Sequence, residues 1–90
     1  MLDRPNLSDK ALAVFAFAAY HQLESGQPVT KVIRSDGQGH EADGAAVEEL
    51  QELRLATVAG NDIELTESGL AVLARSLDGL REAAAAGLAA

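Results

Sequence analysis

Four side chains in one short stretch could do chemistry together: Asp36, His40, Glu41 and Asp43, in Asp36-Gly-Gln-Gly-His-Glu-Ala-Asp-Gly44. Carboxylates around an imidazole suit a metal site or a general acid–base pair. A calcium loop needs oxygen ligands at alternating positions and a glutamate at the twelfth. Counting from Asp36, the third and fifth positions are Gln38 and His40, and the twelfth is Val47. A zinc site needs further ligands, but the other histidine, His21, belongs to a different element and there is no cysteine. Turn-forming Asp and Gly account for the same letters. None of the serines (Ser8, Ser25, Ser35, Ser68, Ser76) stands in a nucleophile–base arrangement. Gly37-Gln38-Gly39 is too short for a phosphate-binding loop. The expectation is a protein that is not an enzyme and holds neither cofactor nor metal.

The elements that would position these residues are clearer. Asp43 suits a helix N-cap, and Ala46, Val47, Leu50 and Leu53 follow as an apolar stripe. The opposite side carries Glu48, Glu49, Gln51 and Glu52, so this helix is amphipathic with an acidic exposed face. Beyond it, Gly60-Asn61 reads as a two-residue hairpin turn. That turn sets Ala59 against Asp62, Val58 against Ile63, Thr57 against Glu64 and Ala56 against Leu65. Alternation then puts Ala56, Val58, Ile63 and Leu65 on one face. Thr66 can cap a last helix, with Glu67 in its first turn against the positive end of the dipole.

Helix, hairpin and Leu65-Thr66-Glu67-Ser68-Gly69 step together resemble the back half of a winged-helix domain, as in the MarR-like and PadR-like regulators. The resemblance covers residues 43–73. It implies a short second helix before residue 43, a recognition helix offering Glu48, Glu49, Gln51, Glu52 and Arg54, and a hairpin wing. The expected fold is α+β and mostly helical: one winged-helix-like domain over residues 1–90 with three to four helices, a hairpin wing and a C-terminal helix.

Upstream, Met1 to Leu7 reads as a loose lead. Ser8 caps a helix running to about Glu24 and closed by Gly26, with Leu12, Phe15, Ala16, Ala19 and Leu23 as its stripe and Val14 and Phe17 widening it. His21 suits the negative end of that helix. From Pro28 to Ser35 two readings stay open. Val29, Val32 and Ile33 fit the short helix that the resemblance implies, while the β-branched run fits a strand as well. In the second case Lys31–Arg34 pairs with His40–Ala42 around a turn at Ser35–Gly39. The 36–44 segment is in any case longer than the turn of a standard helix-turn-helix. Downstream, Leu70, Leu73, Leu77 and Leu80 recur at three, four and three over a helix spanning 67–86. A domain of this size should bury the first two and strand Leu77 and Leu80, which makes this helix a dimerisation element and the chain a homodimer.

The net charge of -7 is unevenly distributed. Residues 36–67 carry nine carboxylates against Arg54 alone. The imbalance falls on the helix and wing that a DNA-binding winged helix would turn toward phosphates, and DNA affinity depends on Lys and Arg. Charge therefore disfavours nucleic acid. It points to a regulatory or adaptor protein that meets a basic protein partner through Glu48, Glu49, Glu52, Asp62 and Glu64. A solvated surface is the bland alternative for those carboxylates. The rival reading is a transcription regulator whose DNA contacts are Lys10, Lys31, Arg34 and Arg54; a third is a DNA mimic. No uncharged run is long enough for a membrane span, which needs about 20 residues, and no basic leader precedes the first helix. A cytoplasmic, bacterial-type protein is the expectation.

Overall fold

The computed structural model describes residues 7–89; the expected loose lead, apart from Leu7, lies outside the described residues. Among the described residues the order is α1 (Asp9–Ser25), β1 (Lys31–Ile33), α2 (Gly44–Glu52), β2 (Ala56–Ala59), β3 (Asp62–Leu65) and α3 (Glu67–Ala89). The fold is α+β and mostly helical. The described residues form one antiparallel sheet with strand order β1-β3-β2.

Local chemistry sets the helix ends. Ser8 caps α1 by accepting from the Ala11 N–H, Asp43 caps α2 by accepting from the Ala46 N–H, and Thr66 Oγ1 accepts from the Gly69 N–H at 3.1 Å in the first turn of α3. Gly26 ends α1 in the left-handed conformation at φ 73°, where a side chain would be strained. The β2–β3 register is the one the alternation requires, with Ala59 opposite Asp62 and Ala56 opposite Leu65. Gly60 takes φ 60° at the first turn position, as a type II′ turn demands.

Within the 29–35 segment Lys31–Ile33 forms the strand β1, and the short helix that the resemblance implies there is absent. Val32 pairs with Ile63 on β3, and Arg34 N–H and Leu65 N–H reach across to the Asn61 and Thr30 carbonyls. The sheet gains a third strand this way, and Val32 is buried at its centre. Residues 34–42 then turn back as a hairpin-like loop: Ser35 bridges Glu41, and Ala42 N–H donates to the Arg34 carbonyl at 2.8 Å.

Helix α1 faces the core with part of the expected stripe, Phe15 and Ala19 with Val14, but not with its leucines. Ala11, Val14, Phe15, Ala18 and Ala19 are buried, whereas Leu12, Ala16 and Leu23 are exposed. Alanine at 11, 18 and 19 on the packed face leaves no bulky side chain to hold the neighbouring elements away. The core joins this stripe to Val47 and Leu50 of α2, Ile63 and Leu65 of β3, and Leu73 and Leu77 of α3. Leu53 falls just past the end of α2 and stays exposed.

One glycine has a packing duty. A Cβ on Gly69 would run into the Leu55 carbonyl oxygen, which accepts from Thr66 N–H where α3 leaves the sheet. The Leu-Thr-x-x-Gly step is thus a close approach of α3 to the backbone entering β2.

Candidate functional site

The five acidic residues of the expected interaction face do not share one surface. Glu48 and Glu52 are exposed one turn apart on α2. Glu49 turns toward α1, where its carboxylate accepts from the Ser8 N–H at 2.9 Å and the Ser8 hydroxyl at 2.7 Å. The Ser8 backbone bond, then the hydroxyl bond, hold the Glu49 carboxyl below the ordinary glutamate range. Glu49 is therefore a tether between α1 and α2, not a free contact residue. Because Ile63 and Leu65 point inward, Asp62 and Glu64 lie on the outer face of the sheet. Asp62 also pairs with Lys31 at 3.4 Å.

Between α2 and the hairpin lies a polar cleft of about 430 Å³, lined by Arg34, Glu48, Gln51 and Val58 among others. The hairpin tip beside it is engaged within the chain. Asn61 Nδ2 donates to the Ser35 carbonyl at 2.6 Å, and Asn61 Oδ1 accepts from the Ser35 N–H at 3.2 Å. That reciprocal pair fastens the tip to the 34–42 loop, so Asn61 is not presented to a groove.

The four cations of the rival reading are dispersed. Lys10 sits on α1, and Lys31 is matched by Asp62. Arg34 follows β1 at the turn end of the sheet, whereas Arg54 precedes β2 at the other end, at least ~13 Å away along a four-residue strand. Arg54 takes the left-handed position closing α2, φ 60°, a conformation that costs a side-chain-bearing residue roughly 1–2 kcal/mol.

Asp36, His40 and Asp43 are taken up by local structure. Asp36 Oδ1 accepts from the Gln38 N–H at 2.7 Å and the His40 N–H at 3.0 Å, and these bonds lower its pKa. Asp43 is the α2 cap. His40 Nε2 lies 3.2 Å from the Ile33 carbonyl oxygen. No group of three or more His, Cys, Asp or Glu among the described residues could hold a metal ion.

What the loop builds instead is a cluster of rings. His40 stacks flat on Phe17, centroids 3.8 Å apart and planes within 5°. His21 meets the same Phe17 edge-on at 4.4 Å, and Tyr20 follows at 5.4 Å from His21. Phe17 and its neighbours border two clefts along the α1–β1 seam, of about 250 and 380 Å³. Phe17, Tyr20 and His21 stand at i, i+3 and i+4, so their common helix face was legible in the sequence. His40 joins them only through the loop.

On α3, Leu73 and Leu77 are buried in the chain's own core, while Leu70 and Leu80 are 36% and 54% exposed. The expectation that Leu70 would be buried and Leu77 stranded is corrected on both counts, while Leu73 is buried and Leu80 exposed as expected. At about 100° per residue, Leu73 and Leu77 straddle the centre of the stripe, with Leu70 and Leu80 to either flank. Beyond Leu77, every described residue from Asp78 to Ala89 is exposed. No helix among the described residues is long and apolar enough to cross a membrane. Compared with family models, curated proteins and solved structures, the chain matches none of them.

Proposed function

We propose that this chain is a small, non-enzymatic, winged-helix-like regulatory or adaptor domain that works by protein–protein contact. The observation that carries the reading is the exposed acidic side of α2, Glu48 and Glu52, beside the cleft it forms with the hairpin. The order α2, hairpin, α3 follows the winged-helix resemblance. The surfaces that such a domain would turn to DNA are here acidic or tied up in internal bonds. A basic partner protein answers the charge, and charge then sets its approach rate and selectivity.

The same proposal includes a homodimer built on the outer half of α3. That half is about 18 Å of exposed helix with Leu80, Ala84 and Leu88 at spacing four. An isolated helix of this length is marginal in water. A second copy laid along it would cover those residues.

Two experiments test the reading. Immobilised chain incubated with cell extract at low salt should retain basic proteins that a Glu48→Lys, Glu52→Lys variant releases. A salt-dependent shift of generic duplex DNA, lost on replacing Lys10 and Arg34 by alanine, would overturn it for a DNA-binding one. Light scattering on wild type and a Leu80→Asp, Leu88→Asp variant tests the dimer: a wild-type monomer sinks it.

A further inference from the structure

We propose that the seam between α1 and β1 is an anchoring site for a protein partner, taking one bulky apolar side chain flanked by basic residues. The inference rests on the protein-contact reading but assigns the anchor to a different surface from α2. Its first support is the use of ring side chains. The chain has only three aromatic residues; Phe15 is fully buried in the core, and Phe17 packs against the core's edge while staying partly accessible. Phe17 and Tyr20 gather with both histidines on one accessible side of α1. Tyr20 is 59% and Ile33 46% exposed there. Aromatic groups concentrated beside a pocket are the usual makings of a binding hot spot.

The second support is shape. The cleft between α1, β1 and the 34–43 loop is floored by Val14, Val32 and Ile63, which are nearly inaccessible, and walled by the Phe17–His40 stack. At about 250 Å³ it falls below the common range for small-molecule pockets, roughly 300–1,000 Å³, and suits a single side chain. The neighbouring depression past Phe17 and Ile33, lined by Tyr20 and His21, continues it along the seam and gives the flanking residues of a peptide somewhere to lie.

The third support is charge. Glu41 and Asp43 stand on the loop side of the first cleft with Lys10 opposite, and Asp36 borders the second beside Lys31. Lys31 is matched by Asp62, which leaves three lining carboxylates, Asp36, Glu41 and Asp43, against Lys10 along the two clefts. An occupant with Arg or Lys next to its apolar anchor is complementary to that rim; an acidic occupant is repelled.

The test uses a phage-displayed random dodecapeptide library selected on the full chain. Selected peptides are synthesised and titrated into isotope-labelled protein. The expected peptides carry an aromatic or long aliphatic residue near Arg or Lys, and shift the amides of Ala13, Phe17, Ile33 and His40. Their affinity should fall at least tenfold in Tyr20→Ser, Ile33→Ser, both at exposed positions, and in Ala13→Trp, which fills the cleft from its exposed rim. Acidic peptides, no peptides, or unchanged affinity in both variants overturn the proposal. Shifts confined to Glu48–Glu52 overturn it while leaving the protein-contact reading standing. A duplex-DNA shift sinks that reading independently.

Discussion

Two glycines in α3 should respond to alanine with opposite signs. Helix propensity alone makes either replacement stabilising, by roughly 0.8–1 kcal/mol. At Gly79 nothing lies within 4 Å of an added Cβ, so Gly79→Ala should gain that full amount. At Gly69 the added methyl would run into the Leu55 carbonyl oxygen and sit 3.3 Å from the Leu65 Cβ. The backbone entering β2 must then move, at an overpacking cost of roughly 1–3 kcal/mol. Weakening the Thr66 N–H to Leu55 carbonyl bond, 3.0 Å long, adds about 0.5–1.5 kcal/mol. After the propensity gain, Gly69→Ala should lose about 0.5–3.5 kcal/mol. For a domain of this size each kcal/mol moves Tm by about 4–8 °C, so the two variants should separate by at least about 5 °C. Urea unfolding followed by circular dichroism gives both values. A Gly69→Ala protein as stable as wild type would refute the close approach of α3 to the Leu55 backbone.

The other predictions concern burial and protons. Leu77→Ala should destabilise by about 2–5 kcal/mol, as expected of a core leucine. Leu80→Ala should leave the monomer within about 0.5 kcal/mol of wild type; equal losses in urea would contradict the assignment of Leu77 to the core and Leu80 to the surface. Glu49 and Asp36 both have folded pKa values below their ordinary ones. For groups lowered in this way, stability is present above the unfolded pKa and is lost as pH falls through the folded one. Urea midpoints should therefore fall as pH drops below about 4. Glu49→Gln and Asp36→Asn should each flatten that fall, and an unchanged acid limb in both would contradict the hydrogen bonds from Ser8 and from the Gln38 and His40 backbone.

Much of the fold was legible from local rules. Ser8, Asp43 and Thr66 cap helices because a short polar side chain can reach orphan N–H groups wherever it stands. The β2–β3 register followed from a two-residue turn and strict alternation, both of which act within ten residues. The overall α+β class followed from those elements.

What escaped depends on residues distant in sequence. Val29 to Ile33 has no local preference between helix and strand; its pairing with Asp62 to Glu64 decided it. The packed face of α1 was set by the elements around it, with Ala11 and Ala18 turned inward and Leu12 and Leu23 exposed. Glu49 looked like one carboxylate of an acidic stripe until α1 brought Ser8 to it from 41 positions away. The ring cluster shows the division most clearly. The chain itself placed Phe17, Tyr20 and His21 on one helical face, since helical spacing is a local property. Only the loop returning along β1 could bring His40 onto Phe17 and form the cleft between them, because that contact depends on tertiary packing.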